Sequence, residues 1–319
     1  MIFEKQILNI YKGMMFTRQD DTETVFYFSA EDFEGLHVRP YSFKARAGHT
    51  LNGYIYNYDD PRPERLIVFD HGFGGGHRAY MKEIERLCRQ GYTVLSYDHT
   101  GCMESEGENP GGLSNSLSDL NDCITAIKND ECFSGYDISV MGHSWGAFST
   151  LNISALHPEI SHVVAMCGFV SVEEMIKTFF SGILKGYRGA VLSLEKESNP
   201  KFAEYCAVDS LKESKVKALL IYSENDQLCQ KVHYDILYGA LGDRENIRFM
   251  LVEDKGHNPN YTKEAVELLS EFTKARAKLL KKKKLSQEEK TRFVAGFDWH
   301  KMTEQDESVW EKIFAHLEK

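Results

Sequence analysis

The pattern that most narrows the fold is an alternation of short, nearly all-apolar runs with longer amphipathic stretches. Leu66–Phe69, Thr93–Tyr97, Ile138–Met141, Val163–Met166 and Ala218–Tyr222 are rich in β-branched and aromatic residues. Runs of this kind fit strands covered on both faces, the environment of a parallel sheet. Ile247–Val252 reads as a further strand. Helical patterns at about 78–90, 116–130, 146–157 and 230–240 lie between them, each long enough for a right-handed crossover. Upstream, 41–47 and 51–58 meet at Gly48-His49 as an antiparallel edge hairpin, closed by Asp59-Asp60-Pro61-Arg62-Pro63. The chain therefore reads as an α/β protein with a mainly parallel, eight-stranded sheet and helices on both faces.

One connection is longer than a crossover needs. Between Val170 and Lys215, the residues Val172, Met175, Ile176, Phe179, Phe180, Ile183, Leu184 and Tyr187 form a wide helical stripe. It predicts either an ordinary helix on the sheet or a lid sheltering a pocket over the strand ends, with Phe179, Phe180 and Ile183 lining that pocket. The expected organisation is an appendage at 1–40, a core at 41–170 and 216–319, and a helical lid at 171–215. Two amphipathic helices near 261–280 and 303–318 close the chain, and either could cover the sheet.

Composition excludes several classes of partner. Acids outnumber bases 48 to 38, a formal charge of -10, the wrong sign for a phosphate-neutralising surface, so no nucleic acid is expected. The basic run Lys278 to Lys284 reads as a solvated helix end. Seven cysteines, without a CxxC pair or a zinc-like spacing, suggest neither a disulfide framework nor a metal site. Charges at Glu4 and Lys5 interrupt any signal peptide, and no apolar stretch reaches the ~18 residues of a membrane span. A soluble, cytoplasmic protein without a cofactor is expected.

The chemistry concentrates at Gly142-His143-Ser144-Trp145-Gly146, a GxSxG pattern where a predicted strand meets a predicted helix. A serine hydroxyl attacks a carbonyl best from a sharp, strained turn, and flanking glycines let strand and helix pass closely. Ser144 is the candidate nucleophile. The general base and its orienting acid should follow on loops after later strands. Asp226, in Ser223-Glu224-Asn225-Asp226, and His257, in Glu253-Asp254-Lys255-Gly256-His257, meet that need, with Glu224 and Asp254 as fallback acids.

With these residues in place, the chain resembles the α/β-hydrolase family over about Tyr41 to His257, through its nucleophile elbow and its order of serine, acid and histidine. The resemblance implies the α/β-hydrolase fold and an oxyanion hole formed by the Trp145 N–H and the Phe73 N–H of Asp70-His71-Gly72-Phe73-Gly74-Gly75-Gly76. The same glycines lack the lysine of a phosphate loop. Asp98-His99-Thr100-Gly101-Cys102-Met103 is similar to the loop after the fourth strand in lysophospholipase, monoacylglycerol-lipase and aminopeptidase-like members, although Thr100-Gly101-Cys102-Met103 departs from their Arg-Gly-x-Gly. Asp98 is expected to tie this loop down, Cys102 to form a pocket wall, and His71 and His143 to hydrogen-bond rather than react.

The expected activity is hydrolysis of an ester-type bond in a small acyl substrate, as in a carboxylesterase or lipase. An aminopeptidase or thioesterase is the alternative within the fold, and a noncatalytic binding protein the alternative outside it. For a peptidase, Glu104, Glu173 or Glu174 could hold the substrate ammonium group.

Overall fold

A computed structural model describes residues 3–282 and 284–318; Met1, Ile2, Lys319 and Lys283 of the basic run lie outside the described residues. The strands are β1 (His37–Lys44), β2 (Thr50–Asn57), β3 (Arg65–Asp70), β4 (Thr93–Tyr97), β5 (Asp137–His143), β6 (His162–Met166), β7 (Lys217–Ser223) and β8 (Ile247–Val252). They form one sheet in the order β1-β2-β4-β3-β5-β6-β7-β8. Only the β1–β2 and β2–β4 pairings are antiparallel. The apolar runs are therefore central parallel strands, as their composition implies, and the hairpin lies at one edge.

The helices are α1 (Glu4–Met15), α2 (Met81–Arg89), α3 (Asn115–Lys128), α4 (Trp145–Asn152), α5 (Val172–Phe179), α6 (Arg188–Ser198), α7 (Ala207–Lys212), α8 (Val232–Leu241), α9 (Lys263–Leu279), α10 (Gln287–Val294), α11 (Trp299–Met302) and α12 (Glu307–Leu317). Strand alternation divides the core between two faces. Val68 and Val140 face Leu117, Leu120, Phe148 and Leu151 of α3 and α4, whereas Ile67, Phe69 and Met141 face Ile84 and Leu87 of α2 and Trp310 and Ile313 of α12. α12 thus covers the sheet, and α9 packs on α11 instead.

The long connection differs from a continuous helical stripe. It breaks at Phe180, whose backbone leaves the helical region at φ -101 and ψ 68, and resumes as a short turn over Gly182–Tyr187 before α6. Val172, Met175 and Ile176 are buried, but Ile183 is 96% exposed, because the stripe loses its phase at that break. The N-terminal segment, to which the sequence assigns no role, packs on this connection. Tyr11 of α1 meets the Phe180 ring edge-on at 6.0 Å, and its hydroxyl donates to buried Glu195 of α6 at 2.6 Å.

Candidate functional site

Ser144 stands between the end of β5 at His143 and the start of α4 at Trp145, with φ 56 and ψ -114. A serine in this region costs on the order of 1–3 kcal/mol, so the surroundings must hold it there. The Ser144 N–H donates to the Met166 carbonyl at 2.8 Å, anchoring the turn to β6. Gly146 permits the crossing: a Cβ on it would lie 2.1 Å from the Asp70 carbonyl oxygen of β3. The turn exists because two backbones touch where no side chain intervenes.

The later loops bring the acid and the imidazole together. Asp226 follows β7 and is 3% exposed. Its Oδ1 accepts the Leu228 and Cys229 amides at 2.8 and 3.1 Å. His257 follows β8, and its Nδ1 meets Asp226 Oδ2 at 2.7 Å. A carboxylate oxygen accepts, so Nδ1 carries the hydrogen of this contact, and in the neutral ring the lone pair lies on Nε2. The fallback acids lie elsewhere: Glu224 and Asp254 are exposed, and Asp254 pairs with Lys263 at 2.9 Å. Among the described residues no hydrogen bond joins the Ser144 hydroxyl to the His257 ring. Burial and the Asp226 charge push the nearby Cys229 thiol pKa well up, and the Ser144 hydroxyl lowers it only in part.

Phe73 and Trp145 are neighbours, their rings edge-on at 5.1 Å. The Trp145 amide opens the first turn of α4, where N–H groups lack helical acceptors. Trp145 itself is buried, and its indole donates to the Leu113 carbonyl at 2.6 Å. Beneath the Gly72–Gly76 loop, His71 places Nδ1 2.7 Å from the Gly72 carbonyl and Nε2 3.0 Å from the His99 amide. Burial and the charge on His99 lower the His71 pKa to about 4. His99 is fully buried between Asp70 at 3.0 Å and Asp119 at 3.2 Å. Burial lowers its pKa, but the two carboxylates outweigh that and raise it to about 9.

The remaining expected residues divide. Asp98 does tie its loop down, accepting from the His77 amide at 2.8 Å and the Glu104 amide at 3.0 Å. Burial opposes its charge, but His77 outweighs burial and holds the carboxyl at about 2. Cys102 is 1% exposed in the core and bridges Gln19, so it is not a pocket wall. Phe180 is occupied by Tyr11, Phe179 is 39% exposed and Ile183 faces solvent, so the three do not gather around one pocket. A cavity of about 310 Å³ instead lies between Ser171, Glu173 and Glu174 at the start of α5 and Lys196 of α6. A second, of about 210 Å³, lies beside Gly75, with Asp21, Tyr27, Arg78 and Glu104.

Two groups of residues escape sequence reasoning. Cys167, Asp226 and His257 place ligand-type atoms within 4.8 Å of one another, which chain spacing could not show. The His257 and Asp226 atoms of that group are engaged with each other. Tyr80, which reads simply as the first turn of a helix, bonds both the Gly72 amide and His143. No motif marks it.

The profile of the family described as Hydrolase_4, serine aminopeptidase, S33, matches residues 61–204. A Bacillus subtilis (strain 168) protein, YqkD, is 25% identical over 183 residues, 55% of this chain and 57% of that protein. The chain thus spans little more than half the length of this curated relative. The Pyrococcus furiosus esterase Pf2001 superposes with a TM-score of 0.59 at 18% identity, over 81% of this chain and 96% of that one. The acetyl xylan esterase from Paenibacillus sp. R4 superposes with a TM-score of 0.57 at 16% identity, over 79% and 87%.

Proposed function

The chain belongs to the α/β-hydrolase superfamily, whose fold it has, and from that premise we propose that it is a serine hydrolase acting on an ester-type acyl bond. The observation that carries this reading is the 2.7 Å contact of His257 with Asp226, on loops at the strand ends where strained Ser144 also stands. In the proposed reaction, His257 Nε2 takes the Ser144 hydroxyl proton as Oγ bonds to the substrate carbonyl carbon. The carbonyl oxygen gains negative charge, which the Phe73 and Trp145 amides stabilise. Collapse expels the alcohol, protonated by His257, and water attacks the acyl-enzyme by the same route. The contact between nucleophile and base is commonly long until substrate arrives, so its absence among the hydrogen bonds here is compatible with this role.

The similar esterases support an ester substrate. A second reading, aminopeptidase activity, draws on the matched family's description and on Asp21 and Glu104 beside Gly75, carboxylates able to receive an ammonium group. Glu173 and Glu174 are less suited, because Lys177 pairs with both at 2.8 and 2.7 Å. A panel of short-chain esters, thioesters and aminoacyl amides separates these readings. Turnover of esters at least about tenfold above aminoacyl amides is expected, and the reverse order would install the peptidase reading.

A further inference from the structure

A chain of hydrogen bonds beneath the site joins loops that leave three different strands, and each bond has one possible direction. The His257 carbonyl can only accept, so His143 Nε2 carries the hydrogen of their 2.7 Å contact. His143 is 4% exposed, and burial together with His257 lowers its pKa to about 3, so its ring is neutral. Its bare Nδ1 then receives the Tyr80 hydroxyl proton at 2.8 Å. The Tyr80 oxygen, having donated, accepts the Gly72 N–H at 3.0 Å. The His143 ring lies 5.6 Å from that of Tyr80 and 4.7 Å from that of His257.

Packing confines the same line of atoms. A Cβ on Gly72 would overlap the Tyr80 oxygen and come 3.3 Å from Ser144 Cβ, so a side chain there would displace the phenol from this line of bonds. Gly72 precedes Phe73, His143 precedes Ser144, and the third end of the chain is the His257 backbone. The loops that contribute Phe73, Ser144 and His257 are therefore each held within one residue of that group.

Resting on the function proposed above, we propose that Tyr80 and His143 are positioning residues, which set the His257 loop against both the nucleophile elbow and the oxyanion loop. Neither touches a reacting atom. Their effect is to keep His257 Nε2, Ser144 Oγ and the Phe73 amide at fixed separations, where a shift near 1 Å can cost about a hundredfold in rate.

The test compares Tyr80→Phe, His143→Leu and His143→Gln with the unmutated chain, following the rate of fluorophosphonate labelling, kcat and KM for an ester, and Tm. Tyr80→Phe removes one oxygen, and labelling and kcat should fall about tenfold or more with KM little changed. Glutamine can donate to the His257 carbonyl and accept from Tyr80, so His143→Gln should retain several-fold more activity than His143→Leu. In 15N spectra of the histidine rings, His143 should hold the Nε2–H tautomer from pH 5 to 8, and Tyr80→Phe should move its Nδ1 resonance. A merely structural role would lower Tm and leave the labelling rate of the folded fraction unchanged, with leucine and glutamine equivalent. Equal labelling of His143→Leu and the unmutated chain would overturn the positioning role while leaving the proposed function standing. Absence of any Ser144-dependent labelling would overturn the proposed function, and the positioning role with it.

Discussion

Asp226 has its two oxygens on different tasks, one bound to its own loop amides and one to His257. This division makes Asp226→Asn informative. The amide keeps the side chain's shape but can present an N–H toward His257, favouring the tautomer that lacks a free Nε2. Ester kcat is expected to fall roughly 10³- to 10⁴-fold with Tm changed by only a few degrees. A loss below about tenfold would mean that Asp226 does not orient the base. The candidate triad was legible in the sequence because each member follows an apolar run, and such runs are strands whose ends share one edge. The partners of His143 were not legible, because His143, Tyr80 and Gly72 reach one another only once those strands pair.

At the scale of elements, α6 is held by a buried acid. Glu195 receives the Tyr11 hydroxyl from α1 at 2.6 Å and the Leu113 amide at 2.8 Å, and Leu113 in turn accepts the Trp145 indole at 2.6 Å. Burial outweighs these bonds and raises the Glu195 pKa to about 7. Tyr11→Ala removes both the donor and the ring against Phe180, at an expected cost of about 3 kcal/mol. Cleavage within 181–190 during limited proteolysis should quicken accordingly. Unchanged proteolysis would show that α1 does not hold the connection. The sequence supported a helical stripe here but not its interruption, since apolar spacing alone carries no sign of the turn at Phe180. For the same reason Ile183, in phase on paper, points to solvent.

For the whole molecule, buried histidines set the pH dependence of stability. Burial, reinforced at His71, His143 and His316 by a neighbouring imidazole, lowers the pKa of His71, His233 and His316 to about 4 and that of His143 to about 3. Groups with depressed folded values give stability that is present above the unfolded value of ~6.5 and lost as pH falls through the folded one. His99, raised to about 9 by Asp70 and Asp119 against burial, gives stability present below ~6.5 and lost as pH rises through 9. Glu195, raised by burial to about 7, gives stability present below 4.5 and lost through 7. Four histidines outweigh one carboxyl on the acid side, so Tm should peak near pH 6 to 7, falling steeply below 6 and more gently above 7. A Tm rising steadily from pH 7 to 9 would contradict the charged His99. Glu195→Gln, which mimics the protonated acid, should flatten the loss attributed to Glu195 between pH 4.5 and 7, and an unaltered profile would remove that attribution.

The sheet order was readable at this scale only as a class, because parallel strands announce themselves by being apolar throughout. The choice of α12 over α9 as the covering helix was not, since both are amphipathic and only α12 has Trp310 and Ile313 placed to meet Ile67 and Met141. The central claim, that Ser144 is a nucleophile activated by His257, is tested most directly by peptide mapping after exposure to a fluorophosphonate. The account predicts one adduct, on Ser144, formed with a rate that climbs between about pH 6 and 8 and absent in Ser144→Ala and His257→Ala. An adduct on another residue, or equal labelling of the folded Ser144→Ala chain, would contradict it.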